Sequence, residues 1–106
     1  MSLNTNPVTR QGWEPGSPPL ATILVVDDEI ELGRALSKLL TRNGYRVLTA
    51  INGEEGLGIL RTEEVHLVLS DLQMPKMGGL DLLRAGRVIS PTTEFVIITE
   101  IGRAHV

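Results

Sequence analysis

The sequence predicts an α/β domain built on a doubly wound parallel β-sheet. Short apolar runs of strand length alternate with stretches that have helical periodicity, and this alternation covers residues 22–99. The runs are continuously apolar, as in strands that are buried on both faces. Three of them end on acidic or hydroxyl residues. Parallel strands need crossover connections, so these polar ends should meet along one edge of the sheet.

Four strands and three helices are expected from these patterns. The predicted strands cover 23–26, 45–50, 65–71 and 95–99. The predicted helices cover approximately 30–40, 53–61 and 80–89. Local signals predict where the helices begin and end. Asp28 with Glu31 could form a capping box for the first helix, and Asn43-Gly44 would end it. Asn52 and Glu55 match the N-cap and N3 positions of the second helix, and Pro91 would end the third.

Composition limits the class of protein. The chain has 106 residues, enough for one small domain, and 42% hydrophobic residues with only 3% aromatic ones, so the core should be aliphatic. A net charge of −3 argues against a nucleic-acid surface, and the lack of cysteine excludes disulfides and thiolate metal sites. No apolar run reaches the roughly 18 residues of a membrane span. A cytoplasmic location is therefore expected.

The chain divides into three predicted parts. Residues 1–20 are rich in Pro and Gly and have no hydrophobic period, which predicts a disordered leader. Residues 21–99 form the predicted domain. The tail at 100–106 resembles the translation of a common sequencing adapter and is expected to be non-native.

Asp27, Asp28, Asp71 and Thr99 follow or end three different predicted strands, so we expect them to converge. Carboxylates about 4 Å apart cost roughly 4 kcal/mol per pair at an effective dielectric near 20. Either proton uptake or a hard divalent cation could offset this repulsion, and oxygen-only ligands suit Mg²⁺. With a metal beside it, one Asp could attack phosphorus and form an acyl phosphate.

Three stretches together resemble the receiver domain of two-component response regulators. They are Val-Val-Asp-Asp-Glu at 25–29, Leu-Ser-Asp-Leu-Gln-Met-Pro-Lys-Met-Gly-Gly-Leu at 69–80, and Val-Ile-Ile-Thr at 96–99. Their order and spacing match that family. The resemblance implies a flavodoxin-like sheet of order 2-1-3-4, with the family's fifth strand and last helices missing.

The resemblance also implies roles for individual residues. Asp71 would be the phospho-acceptor, and Thr99 would be the switch hydroxyl that turns onto the phosphate. Mg²⁺ would be held by Asp27, Asp28, Asp71 and the backbone carbonyl of Gln73. The phosphodonor would be a histidine kinase or phosphotransfer protein. A DNA-binding or ATPase output domain would be absent from this chain, and no membrane or nucleic-acid partner is expected for it.

Two other functions stay open at this point. The chain could be a receiver-like interaction module that is not phosphorylated, because the Lys that ends the family's fifth strand is missing. It could also be a Mg²⁺-dependent phosphohydrolase with an Asp nucleophile. Such an enzyme would need a second acid two residues after Asp71, where this chain has Gln73. A signalling domain, and not an enzyme with turnover, is therefore expected.

Overall fold

The computed structural model describes residues 12–98, and strands and helices alternate along them. The elements in chain order are β1 (Thr22–Val26), α1 (Ile30–Arg42), β2 (Arg46–Ala50), α2 (Gly53–Thr62), β3 (Leu67–Asp71), α3 (Gly79–Ile89) and β4 (Glu94–Ile98). The four strands are all parallel and have the order β2-β1-β3-β4. The predicted fold class and strand order are confirmed.

The core lies around the central strand β1, whose five residues are all buried. Alternate side chains of the strands point to opposite faces of the sheet. On one face, Leu24, Val26 and Val68 pack with apolar side chains of α2 and α3, including Leu60 and Leu82. Helix α1 lies against β1 and β2. Among the described residues, no helix is both long and apolar enough to cross a bilayer.

One of the two predicted N-caps is confirmed and the other is wrong. The side chain of Asn52 accepts the N–H of Glu55 at 2.9 Å, as predicted for the start of α2. The N-cap of α1 is Glu29, without a side-chain cap hydrogen bond, so Asp28 forms no capping box with Glu31. The reason is that the Asp27 carboxylate accepts the N–H of Glu29 at 2.8 Å, and α1 begins only after it.

The segment before β1 differs from the disordered leader predicted for residues 1–20. The N–H of Trp13 donates to the carbonyl of Thr41 at 2.8 Å, and the N–H of Leu20 donates to the carbonyl of Gly44 at 2.8 Å. The two ends of the segment 12–20 are thus attached to the end of α1 and to the turn that follows it. The earlier residues of the predicted leader lie outside the described residues.

Candidate metal centre

Two neighbouring strands bring three carboxylates together. β1 and β3 are adjacent and parallel, with Val26 paired with Ser70, so the residues that follow these two lie side by side at one edge of the sheet. Carboxylate oxygens of Asp27, Asp28 and Asp71 all lie within 4.8 Å of one another. The sheet topology therefore produces the convergence that the strand-end pattern predicts.

The three acids differ in their exposure to solvent. Asp71 is 1% exposed and Asp27 is 5% exposed, whereas Asp28 is exposed. The Asp71 carboxylate accepts the N–H of Gln73 at 3.4 Å. The cluster is thus a small acidic pit with two buried carboxylates at its base and one at its mouth, and a ligand can approach from the side of Asp28.

Burial raises the pKa of the Asp71 carboxyl above its usual range, because desolvation disfavours the charged form. The N–H group of Gln73 lowers this pKa in part, and the negative charges of Asp27 and Asp28 raise it again. A hydrogen bond from the N–H of Leu72 gives a smaller lowering. A positive charge in the pit would therefore favour the ionised form of Asp71.

The loop between β3 and α3, residues 72–78, follows Asp71 closely. It is closed at its base by a hydrogen bond from the N–H of Gly79 to the carbonyl of Leu72 at 2.9 Å. A Cβ at Gly79 would stand 2.4 Å from the backbone oxygen of Asp71, so only glycine fits there. Lys76 has a φ of 71°, a left-handed conformation that is uncommon for a residue with a side chain.

The donor set fits a hard divalent cation. Three carboxylates supply oxygen ligands only, which suits Mg²⁺ or Ca²⁺ and does not suit a soft metal. Asp71 is the most buried residue of the three and ends β3, one of the two inner strands. The remaining predicted site residue, Thr99, lies outside the described residues.

The sequence profile of the response regulator receiver domain matches residues 23–105 of this chain. The chain belongs to the response regulator receiver domain family. Domains of this family take up a phosphoryl group, bind Mg²⁺ at an acidic site and interact with histidine kinases or phosphotransfer proteins. The acidic pit lies within the matched residues.

Individual relatives agree with this assignment. The transcriptional regulatory protein GlrR of Escherichia coli K12 is 42% identical over 82 residues, which are 77% of this chain and 18% of GlrR. A CheY-like receiver domain from Methanospirillum hungatei is 30% identical, with a TM-score of 0.75 over 78% of this chain and 66% of that one. The regulator TrrA of Thermotoga maritima, solved with Mg²⁺ and BeF, is 31% identical, with a TM-score of 0.73 over 82% and 77% of the two chains. This chain thus spans less than a fifth of GlrR.

Sequence reasoning missed the backbone groups that support the acids. The N–H of Glu29 donates to the Asp27 carboxylate. Hydrogen bonds from the N–H groups of Gln73 and Leu72 lower the pKa of Asp71 in part. Backbone donors can come from almost any residue type. No residue pattern could therefore have marked these positions in advance.

Removing the charge of Asp71 is expected to stabilise the metal-free protein at neutral pH. A group whose pKa is raised in the folded state contributes stability below its unfolded pKa, about 3.9 for Asp, and that contribution is lost as pH rises through the folded value. We expect Asp71→Asn to raise the free energy of unfolding at pH 7 by about 1 to 3 kcal/mol. A like-charge pair 4 to 5 Å apart costs roughly 3 to 4 kcal/mol. Solvent at the exposed Asp28 screens part of this repulsion, which lowers the expected gain.

Urea unfolding in EDTA from pH 4 to pH 8 measures this effect as the difference between wild type and Asp71→Asn. The difference should grow as pH rises. Asp81→Asn is the control, because Asp81 is exposed and its ion pair to Arg84 is long, at 3.7 Å; its effect should stay within about 0.5 kcal/mol. A wild-type to Asp71→Asn difference that does not change with pH would show that the charge of Asp71 carries no such cost.

Proposed function

We propose that this receiver domain accepts a phosphoryl group on Asp71 from the phosphohistidine of a histidine kinase or phosphotransfer protein. The observation that carries the proposal is the acidic pit, in which three carboxylates lie within 4.8 Å and Asp71 is 1% exposed. Mg²⁺ would be held by Asp27, Asp28, Asp71 and the backbone carbonyl of Gln73. The complex of TrrA with Mg²⁺ and BeF supports this choice of metal.

The chain's own residues account for the chemistry of transfer. A carboxylate oxygen of Asp71 attacks phosphorus, the bond from phosphorus to the donor nitrogen breaks, and the donor keeps the electron pair. When bound, Mg²⁺ would supply positive charge that offsets the carboxylates and the incoming phosphoryl oxygens. Asp27 and Asp28 would hold that charge beside Asp71, and the backbone N–H of Glu29 donates to the carboxylate of Asp27 and orients it.

The response to phosphorylation is proposed to pass through Thr99. Phosphorylation would add about one negative charge and new acceptor oxygens next to β4. β3 and β4 are paired so that Asp71 faces Ile98, the residue before Thr99 in the chain. The Thr99 hydroxyl would donate to a phosphoryl oxygen and draw the end of β4 toward the pit, which is a local charge event that biases a two-state element.

The wider setting is also proposed. Residues 21–99 are taken as the receiver unit, which acts in the cytoplasm as a signalling domain without turnover of a free substrate. A DNA-binding or ATPase output domain would act with it, in line with the name of its relative GlrR, a transcriptional regulatory protein. That the tail at 100–106 is non-native stays a prediction.

The test is labelling of the 106-residue chain with acetyl phosphate, with Mg²⁺ or with EDTA, followed by intact mass measurement. We expect the added mass of one phosphoryl group with Mg²⁺ and none with EDTA. Absence of labelling in both conditions would favour an interaction module that is not phosphorylated. Steady release of inorganic phosphate from a stable phosphoester would favour a phosphohydrolase.

A further inference from the structure

The first residue of α2 contacts the last part of the loop between β3 and α3. The N–H of Gly53 donates to the carbonyl of Met77 at 3.2 Å, and Gly53 is buried. A Cβ at Gly53 would stand 2.6 Å from Cγ, 2.7 Å from Cβ and 2.8 Å from the backbone oxygen of Met77. The loop can approach α2 this closely only because residue 53 has no side chain. We name this contact the Gly53–Met77 clasp.

The loop has a conformation that must be held by its surroundings. Lys76 is in the left-handed region, and the N–H of Met77 donates to the carbonyl of Pro75 at 2.8 Å, which closes a tight turn around Lys76. A strained backbone of this kind persists only where neighbouring structure fixes it. The clasp supplies such a contact at Met77, directly after the strained residue.

The other side of the clasp is firmly anchored at the same edge of the sheet. The N–H of Asp27 donates to the carbonyl of Ala50 at 3.0 Å, which ties the end of β2 to the acidic pit. Asn52 caps α2, and the Glu55 carboxylate accepts the N–H of Ile51 at 3.0 Å. The turn before α2 is thus fixed to the pit on one side and to its own helix on the other.

Gln73 lies in the chain between two of these contacts. Its N–H donates to Asp71 on one side, and the clasp fixes Met77 on the other. We infer that Gly53 is a positioning residue: it sets the loop that carries the proposed metal-binding carbonyl of Gln73, and so tunes Mg²⁺ affinity. Gly53 itself contacts neither the metal nor the phosphoryl group. The inference rests on the proposed function.

The test compares Mg²⁺ affinity in the 106-residue wild type, Gly53→Ala and Gly86→Ala by NMR titration, with urea unfolding of each. Gly86→Ala is the matched control, because a Cβ there would also crowd a neighbour, at 2.6 Å from the Phe95 ring, but near the opposite end of the sheet. We expect Gly53→Ala to weaken Mg²⁺ binding about tenfold, the usual scale for residues that orient metal ligands. Gly86→Ala should lose stability and keep its Mg²⁺ affinity within about twofold.

Equal affinities in Gly53→Ala and wild type, or an equal loss in both glycine variants, would overturn the inference. A wild type that does not bind Mg²⁺ would instead contradict the proposed function, so the two failures are distinguishable. If Gly53→Ala does not fold, Met77→Gly removes the side chain that packs against Gly53 without adding bulk, and it keeps the backbone carbonyl that accepts the N–H of Gly53. It should weaken Mg²⁺ binding several-fold, and an unchanged affinity would again overturn the inference.

Discussion

Asp71→Asn is expected to abolish labelling of the chain by acetyl phosphate. The amide has nearly the shape of the carboxylate but no anionic oxygen to attack phosphorus, so transfer should stop while the fold is kept. The variant should even be more stable than wild type without metal, as argued above, so loss of labelling cannot be ascribed to unfolding. Intact mass and peptide mapping after a long incubation with Mg²⁺ measure the result.

Two further variants sharpen this experiment. Asp28→Asn keeps the nucleophile and removes one proposed metal ligand, so labelling should slow by about tenfold or more and still occur at Asp71. Asp81→Asn changes an exposed acid of α3 and should label like wild type. Full labelling of Asp71→Asn at another residue, such as Asp27, would contradict the assignment of the acceptor.

The fold was predictable because burial leaves a direct mark on residue types. β1 is buried along its whole length and β3 is buried or half-buried, so both appear as mainly apolar runs, and the polar residues at their ends lie at one edge. Parallel connections then place Asp27 and Asp71 at the same edge of the sheet. The elements themselves and this shared edge could thus be derived from spacing alone, whereas the strand order, which makes β1 and β3 neighbours, came from resemblance to a family.

Close packing against glycines could not be predicted, because it joins residues that are distant in the chain and leaves no pattern. Gly86 looks misplaced inside the helical sequence of α3, where glycine costs about 1 kcal/mol relative to alanine. The structure supplies the reason, since the Phe95 ring of β4 fills the space that a side chain would need. Gly58 looks the same in sequence, yet an added Cβ there would have no neighbour within 4 Å.

Among the changes to alanine at Gly53, Gly58, Gly79 and Gly86, Gly79→Ala is expected to be the most destabilising. Its Cβ would stand 2.4 Å from the backbone oxygen of Asp71, and that atom belongs to the buried strand β3, so it cannot move aside as a side chain could. Overpacking typically costs about 1 to 3 kcal/mol, and contact with fixed backbone places this case at about 3 kcal/mol or more. Any relaxation would therefore move the backbone carbonyl of Asp71, the proposed phospho-acceptor.

Gly58→Ala is the matched control for this change. The same added methyl group meets open space in α2, so the higher helix propensity of alanine should raise the free energy of unfolding by about 1 kcal/mol. Urea unfolding of both variants at one pH gives the comparison. Both glycines are helical in the structure. The opposite signs of the two changes in the free energy of unfolding therefore come from the atoms that each added Cβ contacts. A Gly79→Ala protein as stable as wild type would mean that β3 and the start of α3 can separate without cost, and then Asp71 would not be held as rigidly as a preformed acceptor site requires.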